Sequence, residues 1–199
     1  MSLVVASNCD GCQYWCGDRI LVDTRVEPFA VVSIDYQKIR RIPGVQVLVG
    51  LSGSSYDTDL IWEGIIAAGP VNSVGNLLSV CSSVVREVNN CSFAFGASHS
   101  LPIYHTGLIV GGYIDAQRFL SVVQPGGDVL AMSVFAAIGV GINKSDCQAL
   151  RQKADCEKFD ITKGIIDECF SSYLEGIDCQ NTVLDRYLVT PTGIIRRDF

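Results

Sequence analysis

The sequence predicts an α+β fold, a four-layer αββα sandwich, on three observations. Strand-patterned blocks alternate with pairs of helix-patterned segments in the order βββ–αα–βββ–αα–ββ. The turns inside the strand blocks carry Asp115-Ala116 and Gly126-Gly127, which is hairpin chemistry, so neighbouring strands run antiparallel. The helical stripes are broad and apolar, so each helix pair should lie against a sheet. No linker, repeat or low-complexity tract divides residues 1–199, which read as one domain.

Each element has a local reason. Ser2–Ser7 and Arg19–Val22 read as strands around a cysteine- and glycine-rich loop, with Phe29–Val32 and Gln37–Ile42 as weaker strands. Val45, Val47 and Val49 alternate with Gln46, Leu48 and Gly50 in the strongest strand, Val45–Leu51. Leu51–Ser55 turns through Gly53 into a helix with Leu60, Ile61, Gly64, Ile65 and Ala68 at helical spacing, capped by Ser54, Ser55 or Asp57 and ended by Gly69-Pro70. A second helix starts at Asn72 or Ser73 and turns Val74, Leu77, Leu78, Cys81, Val84, Val85 and Val88 to one side. Strands follow over Thr106–Tyr113, Arg118–Val123, Asp128–Met132 and Val134–Ile138. Helices over Ser145–Ala154 and Ile161–Leu174, the latter with Ile165, Ile166 and Phe170 inward, precede two last strands, Thr182–Val189 and Ile194–Arg197.

Composition excludes several classes. The chain is 48% hydrophobic yet has no apolar run long enough to span a membrane, and its start lacks the basic and apolar regions of a secretory signal. A net charge of −6, with basic pairs only at Arg40–Arg41 and Arg196–Arg197, makes nucleic acid an unfavoured partner. Nine cysteines, an odd number without a secretory signal, point to a reduced intracellular protein. Cys9, Cys12 and Cys16 offer three of the four ligands a closed zinc site needs, and no second Cys pair or paired histidine follows. The expectation is a cysteine-rich surface turn with neither metal nor cofactor.

An ordered set of short motifs carries a family resemblance. Asp23-Thr24-Arg25, Gln37-Lys38-Ile39, Val49-Gly50-Leu51-Ser52-Gly53 with Asp57, Ile109–Tyr113 and Val189-Thr190-x-x-Gly193-Ile194 resemble a proteasome β-type subunit from about Leu3 to Phe199. The resemblance implies the N-terminal nucleophile hydrolase fold, which is the αββα sandwich already read from the element order. Within the 20S core particle the chain looks most similar to the fourth β type, with the third as runner-up. It opens on its first strand without a propeptide, and both Phe135-Ala-Ala-x-Gly-x-Gly141 and the ending Gly193-Ile-x-x-x-Asp198-Phe199 resemble that type.

Active members of the family use an N-terminal threonine whose own α-amine takes the proton, supported by a lysine, an aspartate and a backbone oxyanion site at glycine. By the resemblance, Asp23, Arg25, Lys38 and Gly53 match vestigial positions of that site. The first threonine here is Thr24, inside the chain, and the serine expected after Ile138-Gly139 is Val140. The family's Asp-x-x-Ser-Gly appears as Asp178-Cys-Gln-Asn-Thr182, and Asp23 to Lys38 is one residue short. The expectation is therefore no catalytic residue, with Asp23 and Lys38 as a buried structural pair.

Such a subunit would help form a seven-membered β ring in the cytoplasm and nucleus. Its partners would be β subunits of the same and the opposite ring and α subunits, in a hetero-oligomer that degrades unfolded or ubiquitin-tagged proteins. Two rivals stand beside this. Removal of Met1 would expose Ser2 as an N-terminal nucleophile, unless acetylation blocked its amine. A free-standing cysteine-rich metal protein is the other.

Overall fold

A computed structural model describes residues 2–23, 30–99, 105–140, 163–164, 166–167, 170 and 184–197. At the N-terminus, β1 (Ser2–Cys9) and β2 (Cys12–Asp18) form a hairpin closed by Asp10-Gly11 alone. The stretch read as a long loop is thus mostly strand. Every residue of β2 is buried, so the in–out alternation that marks a half-buried strand is missing from its sequence. Tyr14 and Cys16 pack with Leu3 and Val5 on one face, while Trp15 packs with Val4 and Ala6 on the other.

Two short strands, β3 (Leu21–Asp23) and β4 (Ala30–Ser33), pair as a separate ribbon. Next come β5 (Ile39–Arg41) and β6 (Gln46–Ser52), then helices α1 (Ser55–Ala67) and α2 (Val74–His99). Ser54 takes the extended N-cap conformation of α1, and the Ser73 hydroxyl accepts the Asn76 amide to start α2. The second helix runs past Val88, where its predicted stripe ends. Asn89 explains the continuation: buried, its side-chain amide donates to the carbonyls of Val85 and Thr106 and its oxygen accepts the Thr106 amide. A residue that reads as polar surface is a helix-to-sheet tie.

The chain continues through β7 (Gly107–Ile114), β8 (Gln117–Val123), β9 (Val129–Ala131) and β10 (Phe135–Val140), and ends in β11 (Leu184–Thr190) and β12 (Gly193–Arg196). Asp115 and Ala116 both take positive φ at the β7–β8 turn, as a tight hairpin requires. One antiparallel sheet has the order β10-β1-β2-β11-β12 and the other β5-β6-β7-β8-β9. Trp15, Leu48, Ile109 and Leu120 fill the space between them. On the far side of the second sheet, Val47, Val49 and Val110 meet Ile61, Ile65, Leu77, Cys81 and Val85 of the two helices.

The expectation of a four-layer αββα sandwich is corrected. The elements described over their full length are three antiparallel sheets and two helices, α1 and α2, which lie over the second sheet. The block order counted helix pairs without weighing how strand-rich the chain is: β2 was hidden, and the ribbon belongs to neither large sheet. The expected helix Ser145–Ala154 lies outside the described residues, as does Ile165. Of the next predicted helix, Lys163, Gly164, Ile166, Asp167 and Phe170 are helical. Ile166 and Phe170 are buried against Tyr14 and Phe135 of the first sheet. Leu77 is fully buried, and Val74, Leu78 and Val84 pack at the edge of the core, as their spacing predicts.

Candidate functional site

Of the expected site residues, Lys38 and Gly53 lie at one end of the two large sheets, beside Ser2 and Asp18. Ser2 starts β1 and Asp18 ends β2, and these strands are antiparallel neighbours, so the two residues share that end. In the second sheet Lys38 directly precedes β5 and Gly53 directly follows β6. The Lys38 carbonyl accepts the Leu51 amide at 2.9 Å, which fixes the lysine's backbone to the strand that leads to Gly53.

Lys38 is 3% exposed, and its ammonium donates to Asp18, which is completely buried. The Asp18 carboxylate also accepts the Leu3 amide at 2.5 Å and the Ile20 amide at 2.9 Å. Burial lowers the pKa of Lys38, and the Asp18 charge opposes that shift without cancelling it. The pair links the first sheet to the second across the core. It also holds the peptide group joining Ser2 to Leu3, because the N–H that Asp18 accepts belongs to that group.

The partner of Lys38 is therefore Asp18, where the sequence reading assigns Asp23. Asp23 ends β3 opposite Ala30, which places its backbone only. Arg25 and Thr24 lie outside the described residues. Gly53 has φ +146, and a Cβ there would stand 2.7 Å from the Thr106 Cα, so glycine is needed for close backbone approach as well as for the turn. Val140, in place of the expected serine, is the ladder partner of Ser2.

The resemblance matches Asp23-Thr24-Arg25 to the family's aspartate and so passes over Asp18, which lies at the end of a stretch that reads as a cysteine-rich loop. One signal would have found it: Asp10-Gly11 is a two-residue hairpin turn, and a tight hairpin there runs Cys12–Asp18 back alongside Ser2. A second buried carboxylate lies one strand over. Asp185 faces Arg19 at 3.7 Å and Arg196 at 3.1 Å, and Arg19 also reaches Asp35 at 2.5 Å. Among the described residues no group of three or more His, Cys, Asp or Glu side chains is placed to hold a metal ion. No helix among them is long and apolar enough to cross a membrane.

Comparison with known proteins adds the fold. No protein-family model matches the chain, and no curated protein matches it. Among solved structures it is similar to an Anbu (Gly-1) mutant from Hyphomicrobium sp. strain MC1, with a TM-score of 0.77 and 15% identity over 100% of this chain and 85% of that one. It is also similar to Anbu, an ancestral beta-subunit, from Yersinia bercovieri, with a TM-score of 0.74 and 16% identity over 98% of this chain and 86% of that one. The assignment to the fourth β type of the 20S particle, or to the third, is corrected by these matches: the short motifs are too generic to choose a type. At such identities what is shared is the fold, and the chain has the fold of the Anbu structures.

Proposed function

We propose that this chain is a structural, non-catalytic β-type subunit of a proteasome-related particle, packed into a ring with other β-type subunits and stacked on α-type partners. The fold shared with an ancestral beta-subunit supports the β-type part of this reading. The observation that carries the ring is uncovered apolar surface. Tyr56 is 70% exposed on α1, Phe93 and Phe95 are 55% and 58% exposed on the last turns of α2, and Val32 is 62% exposed on the ribbon. Aromatic and branched side chains in water at this density mark faces that partners cover. A permanent ring contact would bury on the order of 2,000 Å2.

The sealed Lys38–Asp18 pair supports the non-catalytic part. All the bonds that orient it run to backbone and to each other, which is what a cross-sheet tie needs. The odd number of cysteines agrees with a reducing compartment such as cytoplasm or nucleus. The test is co-expression with candidate α- and β-type partners, followed by native mass measurement of the particle. Incorporation into a ring supports the reading, and a stable monomer that never co-purifies with such partners overturns it.

A second reading has one specific observation behind it. The Asp18 carboxylate bridges Lys38 and the peptide N–H next to Ser2, so a Ser2 α-amine, if freed by cleavage before it, would sit beside a lysine of lowered pKa. Treatment of the particle with an N-terminal electrophile such as an epoxyketone separates the two readings. No adduct on this chain supports the structural role; an adduct on Ser2, lost in Ser2→Ala, establishes the hydrolase.

A further inference from the structure

The β1–β2 turn contains a feature that neither reading uses. Cys9 and Cys12 are ladder partners flanking Asp10-Gly11, with Gly11 at φ +66. Directly opposed residues of an antiparallel pair have Cα atoms about 4.5–5.5 Å apart, inside the range a disulfide spans without backbone movement. The Cys9 thiol donates to the Ser7 carbonyl at 3.9 Å. Two contacts from the second sheet clamp the turn: Arg118 donates to the Cys9 carbonyl at 2.7 Å and the Tyr113 hydroxyl to the Gly11 carbonyl at 3.0 Å. A cavity of about 120 Å3 lies beside the turn, lined by Asn8, Cys9, Asp10, Arg118 and Ser133.

We propose that Cys9 and Cys12 form a reversible dithiol–disulfide pair at this turn, oxidised by small peroxides. Cys12 is the attacking thiol. The Cys9 thiol and the Arg118 charge stabilise its thiolate against burial and the opposing charge of Asp10, bringing its pKa to about 7. Burial drives the neighbouring Cys16 the other way and holds Cys81 at about 12, so neither competes.

In the first step the Cys12 thiolate attacks one oxygen of hydrogen peroxide. An S–O bond forms, the O–O bond breaks, and the departing hydroxide takes up a proton as water. Cys9 then attacks the Cys12 sulfenic sulfur. The S–S bond forms as the S–O bond breaks, and the hydroxyl leaves with the Cys9 proton as a second water. The two electrons lost by the thiols reduce one peroxide, and an external dithiol reverses the change.

The test uses the full chain, as purified or in its particle, with Cys91→Ala removing the thiol that is exposed among the described residues. On peroxide treatment the peptide containing Cys9 and Cys12 should become lighter by one H2 and recover with dithiothreitol. Cys12→Ser should slow oxidation of Cys9 by about ten-fold or more, and Cys9→Ser should leave a Cys12 sulfenic acid that dimedone captures. In the unsubstituted chain, alkylation of Cys12 by iodoacetamide should have its pH midpoint near 7. A bridge from either residue to Cys16 or to another chain overturns the proposal. So does a midpoint at the ordinary thiol value of about 8.5, or a turn that stays reduced under peroxide that oxidises Cys91 in the unsubstituted chain.

Discussion

Two buried aspartates on adjacent strands handle their charge in different ways. Asp18 on β2 meets a single lysine that is itself sealed from water, and its remaining acceptor capacity goes to the Leu3 and Ile20 amides. Asp185 on β11 faces Gly17 across the ladder, one residue from Asp18, and is answered by Arg19 and Arg196, of which Arg196 is half exposed. The first arrangement commits both sheets to one geometry, because either charge alone in the core is very costly. The second is redundant and keeps one counter-charge in contact with solvent. A sealed pair specifies structure; a shared, wet one tolerates change.

Removing one side of each pair should separate the two cases. Lys38→Met leaves Asp18 buried without its counter-charge and should cost about 3–5 kcal/mol in urea unfolding. Asp18→Asn added to Lys38→Met should recover much of that loss, since the amide oxygen still accepts from backbone. Equal losses in the single and double variants would show that packing, not charge, holds the two sheets there.

Asp185→Asn should cost less, about 1–3 kcal/mol by the same measurement, because the arginines it abandons keep access to Asp35 or to water. Arg196→Ala should be milder again, at about 0–1 kcal/mol, since Arg19 remains beside Asp185 and the lost partner is an exposed side chain. An Arg196→Ala loss as large as that of Lys38→Met would erase the contrast.

The finest effect is pH dependence. The folded-state pKa of Lys38 lies below its unfolded value of 10.5, so between the two the unfolded chain binds more protons. Stability should therefore rise with pH through this window, and the stabilisation gained should be lost as pH falls through the lowered value. Comparing unfolding of the native chain and Lys38→Met across alkaline pH isolates this slope, which the substitution should remove.

Legibility followed burial. Where an element is covered on one side and carries a start signal, the sequence gives it up: Ser73 starts α2, and Leu77, Cys81 and Val85 mark its inner stripe. Where both faces are covered, as in β2, polar and sulfur-bearing residues at core positions look like loop. Gln13 is such a case: buried, it donates to the Phe119 carbonyl across the sheet gap, a contact no local pattern encodes. The site was half readable for the same reason. Lys38 is marked by the Gln37-Lys38-Ile39 motif, but its partner depends on whether the preceding turn has two residues or many. Matching Asp23-Thr24-Arg25 to the family motif places the choice at Asp23 rather than Asp18.

The closing of the first sheet has a consequence for how the chain is made. Its second sheet and both helices are drawn from the continuous stretch Ile39–Ala131, so their contacts can form as soon as that stretch leaves the ribosome. The first sheet cannot finish then. The strand β2 waits for β11, with Asp18 partnering Leu184 and Gln13 partnering Val189, so nearly the whole chain must be synthesised between the two partners. Closing so long a loop adds entropy only slowly with length, yet it delays the contact by the time of translation itself. During that interval β2 presents an unpaired backbone edge to the cell, and a chaperone or an already folded partner subunit has its longest opportunity to bind there.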